Sequence, residues 1–260
     1  MNKVFRDTYY LFIRGFKQSL RPYIALMPEF AVPIFFFVVN SAGFQRVSDL
    51  AEFKNYAGNY LEFYAPVALL MAIFFSTGSA GIEVVTDIAN GYMDRLFVSP
   101  VHRISIVLGK LLATGARSMI QAAIMLAFVM LIGAPFEAGL LGVPILLALA
   151  FIFGMAWSGI GLTLAFLTKN PRIVQSSFVF FIPFSFITTS QLPLPLLSGW
   201  YKAAVMINPV TYVLEGMRAL MLNGVGPETV GTIAVGFLAA ALFGLVTLGA
   251  ALFAFRRLSA

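Results

Sequence analysis

The chain has 260 residues, of which 60% are hydrophobic and only 11% charged. A soluble domain is usually about 45–50% apolar and about 25% charged, so a single soluble core is excluded and lipid must cover the remaining apolar surface. The net charge of +6 does not indicate a nucleic-acid partner, because the basic residues collect at the ends of apolar runs. The absence of cysteine excludes disulfides and thiolate metal sites.

The first segment, residues 1–22, predicts an amphipathic helix in the membrane interface. Its polar side carries Lys3, Arg6, Asp7, Arg14, Lys17 and Arg21, and its other side carries Phe5, Tyr9, Phe12, Phe16 and Leu20. The basic side is expected to face water or anionic lipid. A surface that also receives a cytosolic partner is the alternative. The basic residues are spread from Lys3 to Arg21, whereas a cleavable signal peptide has them in a short cluster at its start. The first span is therefore expected to be an uncleaved anchor.

Six apolar runs are long enough to cross a membrane, at residues 25–44, 61–83, 104–133, 140–167, 173–190 and 230–255. The third is longer than a crossing requires and contains Lys110 and Arg117, so its first turns are expected to project into the cytosol. Thirteen of the 17 Lys and Arg residues lie at the two chain ends and in alternate gaps; the others are Arg46, Lys54, Lys202 and Arg218. Because basic residues are retained on the cytosolic side, both termini are predicted to be cytosolic.

Residues 84–103, between the second and third spans, form a connection longer than a tight loop requires. Gly91 offers a break, and the stretch Tyr92–Val98 is short and mixed enough to form a surface helix that Ser99 and Pro100 end. Such a helix between two spans can transmit movement from a cytosolic partner. An ordinary loop with a solvated Asp94–Arg95 pair is the alternative.

Residues 191–229 are predicted to lie outside, although they are apolar. Prolines at positions 193, 195, 209 and 227 interrupt them, so each piece is too short to cross. Apolar pieces of about 10–14 residues are typical of re-entrant or interfacial helices, which need protein neighbours at membrane depth. Glu215 and Arg218, three residues apart, predict a local ion pair.

Ionisable residues in or near the spans are candidate functional sites, because burying a charge in a membrane is costly. Glu29 lies near the cytosolic edge of the first span, where an ion pair with Arg21 or with basic residues of the loops would explain it. A role in coupling or gating is the alternative. Glu62 and Glu83 lie at the two ends of the second span, where both are expected to reach water. His102 is the single histidine, so no metal site is predicted.

Two strings carry a family resemblance: NGYMDRLFVSPVHRISIVLGK at 90–110 and INPVTYVLEGMR at 207–218. Together they resemble the membrane subunit of ABC type-2 exporters, a family that includes drug-resistance, lipo-oligosaccharide and polysaccharide permeases. The likeness covers essentially the whole chain. It implies an all-α integral membrane fold of six transmembrane helices, with an N-terminal amphipathic interface helix, a cytosolic coupling helix at 84–103 and outer re-entrant helices at 191–229 before the sixth span.

The resemblance also implies roles for individual residues. The coupling element held by an ATPase is Gly91, Tyr92, Asp94, Arg95, Leu96, Pro100 and Arg103. The outer re-entrant motif is Asn208, Pro209, Tyr212, Glu215 and Arg218. Spans two and five would face the axis of a dimer, which makes Phe74, Phe75, Phe181, Phe184 and Thr188 candidates for lining a pathway. For each phenylalanine, contact with lipid is the alternative.

The implied function is that of a permease subunit of an ATP-driven exporter in the plasma membrane. In a bacterium or an archaeon, this would be the inner membrane. A homodimer, or a pair with a paralogous permease, would move an amphiphilic, lipid-like, drug or glycan substrate out of the cytoplasm. The chain has no G-x-x-x-x-G-K-[ST] string. It is therefore expected to be non-catalytic and without a cofactor, with ATP and Mg²⁺ bound by a separate ATP-binding-cassette subunit. A carrier or channel independent of an ATPase, and an assembly subunit without a pathway, are the alternatives.

Overall fold

The computed structural model describes residues 3–20, 27–50, 53, 56–176 and 178–258. Arg21, Lys54 and residues 25 and 26 of the first predicted span lie outside this part. The described residues form helices and turns, with no strand among them. In chain order the helices are α1 Lys3–Ser19, α2 Met27–Gly43, α3 Tyr60–Thr77, α4 Ser79–Ala89, α5 Tyr92–Val98, α6 Arg103–Leu131, α7 Gly139–Thr168, α8 Pro171–Ser176, α9 Phe178–Phe186, α10 Gly199–Ile207, α11 Pro209–Leu222 and α12 Pro227–Leu258, with 3-10 turns at Gln45–Asp49 and Leu194–Leu196.

Four helices of the described chain are long and apolar enough to cross a membrane: Tyr60–Ala89, which joins α3 and α4, and then α6, α7 and α12. The all-helical membrane fold is thus confirmed. The first predicted span coincides with α2, a helix of 17 residues, and the fifth with α8 and α9, whose junction at residue 177 lies outside the described part. The count of six spans stays a prediction.

Helix α3 is central and helix α12 is peripheral. In the most apolar window of Tyr60–Ala89, 72% of residues are buried, against 22% in α12. The exposed side chains of α12 are large and apolar, among them Leu238, Leu245 and Val246. Both helices are apolar enough to cross a membrane, with mean hydropathies of 1.7 and 2.3, but only the second needs lipid or a partner to cover it.

Two ends of the bundle are distinguished by their short helices. The α5 end holds α1, α5, the start of α6 and the last turns of α12, where the ring of Phe255 lies 5.8 Å from that of Phe97. The α10 end holds the turn at 45–49, α10, α11 and the start of α12, where the backbone N–H of Glu137 donates to the carbonyl of Met221 at 2.9 Å.

The amphipathic helix predicted at the N-terminus is present as α1, but it lies against protein on one side. A Cβ added at Gly109 of α6 would lie 2.7 Å from the Cβ of Leu11, so only glycine allows α1 and α6 to cross this closely. Helix α1 thus covers the first turns of α6, and their projection into the cytosol stays a prediction. Phe5 and Tyr9 remain exposed, as expected for aromatic residues at a membrane surface.

Candidate functional site

The short helix predicted after the second span is confirmed: α5 begins at Tyr92 and ends at Val98. Gly91 precedes it with φ +66°, a left-handed conformation that favours glycine, and Ser99 follows in an extended conformation. Asp94, Arg95 and Val98 are exposed, Val98 to 88%. Helix α5 therefore presents two charged side chains and one apolar side chain to the surroundings.

The other face of α5 is anchored in the bundle. Met93 is 2% exposed, and Leu96 and Phe97 pack on the cluster of apolar side chains around Phe166 and Phe255. The rings of Phe166 and Phe255 lie 5.1 Å apart, edge to face. Since Phe166 belongs to α7 and Phe255 to α12, a displacement of α5 acts directly on the ends of two long helices.

Arg14 connects α5 to the second span. Its guanidinium carbon lies 3.4 Å from the centre of the Tyr92 ring, and its two terminal nitrogens donate to the carboxylate of Asp87 at 2.9 and 3.3 Å. Burial raises the pKa of the Tyr92 hydroxyl, so the ring meets Arg14 as a neutral phenol. Burial alone would lower the pKa of Arg14, but hydrogen bonds and charge attraction to Asp87 outweigh it and leave that pKa raised. Arg14, predicted to face water or lipid, is therefore also held by protein, while part of its side chain stays exposed.

Lys110 lies at the centre of the same charge cluster. Its ammonium group is 3.1 Å from Glu83 Oε2, 3.4 Å from Asp87 Oδ2 and 3.2 Å from Gln18 Oε1. Gln18 in turn donates to Asp87 at 3.3 Å. The side chain of Glu83 is 17% exposed and that of Lys110 8%, so Glu83, expected to reach water, is instead held by protein.

Arg117 extends the cluster toward the first span. Its guanidinium lies 2.5 Å from Glu29 Oε1, 2.5 Å from the hydroxyl of Ser79 and 3.7 Å from Glu83 Oε1. Arg117 is therefore the described partner of Glu29; Arg21, the other candidate, lies outside the described residues. Glu29 Oε2, Arg117 Nε and Gln121 Nε2 are buried without a hydrogen-bond partner among the described residues, so within this part of the chain the deepest part of the cluster is incompletely satisfied.

We call Arg14, Glu29, Glu83, Asp87, Lys110 and Arg117 the six-charge network. Its three acids balance its three bases. A buried charge is tolerated only when it is paired and hydrogen-bonded, so the balance explains how six ionised groups fit into an apolar bundle. The network joins α1, α2, α4 and α6, and through the ring of Tyr92 it also contacts α5.

The remaining residues of the predicted coupling element lie at the surface. Pro100 and Arg103 are exposed. The backbone N–H of His102 donates to the carboxylate of Asp7 at 3.2 Å, which ties the loop after α5 to α1. His102 is exposed, and the described residues contain no group of side chains suited to a metal ion.

At the α10 end, Asn208 and Pro209 start helix α11. The side-chain oxygen of Asn208 accepts from the N–H of Val210 at 3.0 Å, and Pro209 occupies the first turn, where its missing N–H costs nothing. The amide nitrogen of Asn208 donates to the carbonyls of Phe184 and Ile187 at 2.9 and 2.6 Å. One side chain thus caps α11 and fixes the end of α9. Tyr212 donates to the carbonyl of Met206 at 2.6 Å, which joins α11 to α10.

The predicted ion pair of Glu215 and Arg218 is present, and it is part of a larger cluster. Arg218 is 2% exposed, lies 2.5 Å from Glu215 Oε1, donates to the carbonyl of Thr189 at 2.9 Å, and stacks over Phe63 with 4.1 Å to the ring centre. Glu215 also accepts from the hydroxyls of Thr189 and Tyr56. We call these residues the Arg218 cluster. Burial raises the pKa of Tyr56 to about 12, so its hydroxyl is a stable donor.

Two adjoining cavities open beside this cluster, with volumes of about 650 and about 700 Å³. The first is lined mainly by the end of α11 and the start of α12, and the second reaches α10 and the turn at Leu194–Leu196. Tyr56, Glu215, Glu228 and Thr232 line both. We call the combined space the α11–α12 cleft.

The five candidate pathway residues are all buried or half-buried within the chain. Phe74 is 1% exposed and contacts the rings of Trp157 and Phe181, at 4.4 and 4.7 Å. Thr188 is also buried, while Phe75, Phe181 and Phe184 are half-buried. Phe74 thus packs against side chains of α7 and α9, and the hydroxyl of Thr188 donates to the carbonyl of Ser185. Their role in a pathway stays a prediction.

Sequence reasoning did not assemble the six-charge network or include Tyr56 in the outer cluster. One signal was available: Lys110 and Arg117 lie seven residues apart, and therefore on one face of an apolar helix. Two cations on one such face require acids opposite them. The identity of those acids depends on which helices pack together.

The chain is similar to a protein family and to several known proteins. A model of the ABC-2 family transporter protein matches residues 22–253. The chain is 28% identical over 204 residues to a probable doxorubicin resistance ABC transporter permease of Mycobacterium tuberculosis, covering 78% of this chain and 72% of that one. It is 26% identical over 211 residues to a daunorubicin resistance ABC transporter permease of Streptomyces coeruleorubidus, covering 81% and 71%. It is 26% identical over 219 residues to a putative transport permease, ycf38, of Cyanophora paradoxa, covering 83% and 74%.

Proposed function

The chain belongs to the ABC-2 transporter family, as its two strings predicted, and from this premise we propose that it is the permease subunit of an ATP-driven exporter. It is a multi-pass membrane protein, with four described helices that are long and apolar enough to cross a membrane. Two copies, or this chain and a paralogue, would form the pathway. A separate ATP-binding-cassette subunit would supply ATP hydrolysis, with ATP and Mg²⁺ bound there.

The orientation follows from charge. The described chain from α1 through α6 contains nine Lys and Arg residues, and eight of them, all except Arg46, lie in α1, α5 and α6. Placing these eight outside would violate the retention of basic residues in the cytosol. We therefore assign the α5 end to the cytosol and the α10 end to the outside. Six crossings then require α2, and α8 with α9, to span together with the four long helices. In a bacterium or an archaeon the membrane would be the inner membrane.

The observation that carries the proposal is the pair of faces on α5. One face presents Asp94, Arg95 and Val98 to the cytosol, where a partner can hold it. The other contacts Arg14 through Tyr92 and the ends of α7 and α12 through Phe97. A force applied to the first face reaches every helix that the six-charge network joins.

The mechanism follows from these contacts. ATP binding would draw the two ATPase subunits together and carry α5 of each copy with them. Such a shift changes the balance between states of the bundle only if the ATPase dimer has a different affinity for each state. The six-charge network would transmit the shift to the first, second and third spans, because its pairs connect α2, α4 and α6.

The substrate class is proposed from the relatives and not from the site. Two of the similar permeases are named for resistance to doxorubicin and daunorubicin, which favours an amphiphilic drug-like substrate over a glycan. A lipid-like substrate has the same physical requirements. Membrane lipid is in any case expected around the exposed apolar face of α12.

Purification of the native complex in mild detergent tests the proposal. We expect a P-loop ATPase to co-purify in a fixed ratio with the chain, and the chain alone to hydrolyse no ATP. Val98→Asp and Asp94→Lys should release the ATPase, since both alter the exposed face of α5, without changing the thermal stability of the chain. Arg46→Ala, which removes an exposed charge at the α10 end, serves as the control. Uphill transport by vesicles that contain only the purified chain would contradict the proposal and support a carrier.

A further inference from the structure

The α11–α12 cleft differs in chemistry from one side to the other. Toward the end of α11 its walls are polar, with Asn223, Thr229 and Glu228. Toward α10 the walls are apolar, with Leu194, Met206 and Val235. A cleft with an apolar wall and a few converging polar groups is the usual form of a small-molecule site, and this one is suited to an amphiphile.

The charge of the cleft is set by Glu228. The carboxylate of Glu215 is compensated by Arg218, 2.5 Å away, and Arg218 is buried behind it. Glu228 is exposed, and it forms no ion pair with any residue of the described chain. One negative charge is therefore left uncompensated among the described charged residues that line the cleft, and the apolar wall beside it strengthens its field.

Aromatic rings add to the attraction for a cation. Tyr56 and Tyr212 both line the cleft. The hydroxyls of these two rings donate to protein acceptors, that of Tyr56 to Glu215 and that of Tyr212 to the carbonyl of Met206. Their orientations are therefore fixed. A cation above such a ring is stabilised by its quadrupole, more strongly when water is excluded.

We propose that the α11–α12 cleft binds organic cations with an apolar body, the positive group beside Glu228 and the body against Leu194, Met206 and Val235. This deepens the proposed export function and rests on it for its role: the cleft would be an outer site that a cationic amphiphile occupies before release. An anion of the same shape would be repelled by Glu228, because Arg218 is already engaged by Glu215.

Two probes of nearly equal size and shape test the sign of the charge: tetraphenylphosphonium and tetraphenylborate. Equilibrium dialysis against the purified full-length chain in a neutral detergent, with empty micelles subtracted, gives their affinities. We expect the cation to bind saturably and the anion to bind at least tenfold more weakly. Glu228→Gln should weaken cation binding roughly fivefold to tenfold, as loss of one partly exposed charge pair implies, and Glu228→Lys should abolish it.

The matched control is Glu62→Gln. Glu62 is a carboxylate of the first turn of α3 at the same end of the bundle, and it does not line the cleft. Its replacement should leave cation binding unchanged. A second variant, Val235→Asn, should weaken binding through the apolar wall without changing the charge of the cleft, which separates apolar contact from charge. Equal binding of the two probes, or cation binding that Glu228→Lys leaves intact, would overturn the proposal.

The outcome is independent of the test of export. The dialysis contains no nucleotide and no ATPase, so loss of cation binding would leave the proposed complex with an ATPase untouched. Conversely, a chain that binds the cation at Glu228 but co-purifies with no ATPase would keep the site and remove its role in export.

Discussion

The six-charge network and the Arg218 cluster use the same kinds of groups in opposite ways. In the network, the paired residues are far apart in sequence: Arg14 and Asp87 are separated by 73 positions, and Glu29 and Arg117 by 88. In the Arg218 cluster the ion pair lies within a single helix, three positions apart, and surrounding side chains close over it. The first holds different helices together, while the second forms within α11 and binds the neighbouring Tyr56 and Thr189.

The difference indicates where movement can occur. Breaking a pair in the network separates two helices, so each pair is a point at which a shift of one helix is transmitted to another. Breaking the Glu215–Arg218 pair leaves both residues on α11, and the position of that helix still depends on Asn208 and on the buried side chains of its core-facing side. We infer that the α5 end is built to transmit displacement and the α10 end to hold shape.

Arg117→Ala should have the largest effect on stability. It leaves Glu29 in the interior without a described partner, and loss of one member of a buried pair typically costs about 3–5 kcal/mol. The expected result is a lower midpoint of thermal unfolding in detergent. Arg117→Ala combined with Glu29→Gln should recover part of the loss, because the unpaired charge is then gone. A single variant as stable as the wild type would show that the network does not hold α2 to α6.

Arg14→Ala should have a smaller effect on stability and a specific effect on the position of α5. The Arg14 side chain is 39% exposed, so its ion pair and its contact with Tyr92 contribute about 1–2 kcal/mol together. Since the chain has no cysteine, spin labels can be attached to cysteines introduced at Val98 and Ile124 alone. The distance distribution between them should broaden in Arg14→Ala.

Arg14→Lys is the informative comparison in that experiment, because lysine keeps the charge but loses the planar guanidinium that stacks and binds in a bidentate manner. Arg14→Lys should give a distance distribution whose width lies between those of the wild type and Arg14→Ala. Arg46→Ala should leave the distribution unchanged. If Arg14→Ala also leaves it unchanged, Arg14 does not position α5.

Tyr56→Phe should have the smallest effect. Glu215 keeps Arg218 and Thr189 as partners when the Tyr56 hydroxyl is removed, so the expected loss is about 1 kcal/mol, measured as a shift in the unfolding midpoint. The control is Tyr10→Phe, at an exposed position on α1, which should shift nothing.

The same variant has a pH signature. Burial raises the pKa of Tyr56 to about 12 in the folded chain, above the value of about 10 for an unfolded tyrosine. A raised pKa means that the stabilisation is complete below about pH 10 and is lost as the pH rises toward 12. The difference between wild type and Tyr56→Phe should therefore stay constant from pH 7 to pH 9. A difference that disappears within that range would place Tyr56 outside the buried cluster.

The local features of the fold could be predicted because their causes are local. Gly91, Ser99 and Pro100 delimit α5, whose bounds at Tyr92 and Val98 match the prediction. The spacing of Glu215 and Arg218 gave their ion pair. The two strings around these residues gave the family, which the match to residues 22–253 confirms.

The sequence by itself determined that this is an apolar helical chain of the membrane, with basic residues at alternate gaps and a short helix between two spans. Those properties depend on hydropathy, charge position and turn chemistry, which act over a few residues. Only the tertiary structure decided that Arg14 binds Asp87, that Arg117 binds Glu29 and that α3, not α12, is enclosed. Helices of similar hydropathy can pack in many arrangements, and the partner of a buried charge is fixed only when the packing brings a particular acid beside it.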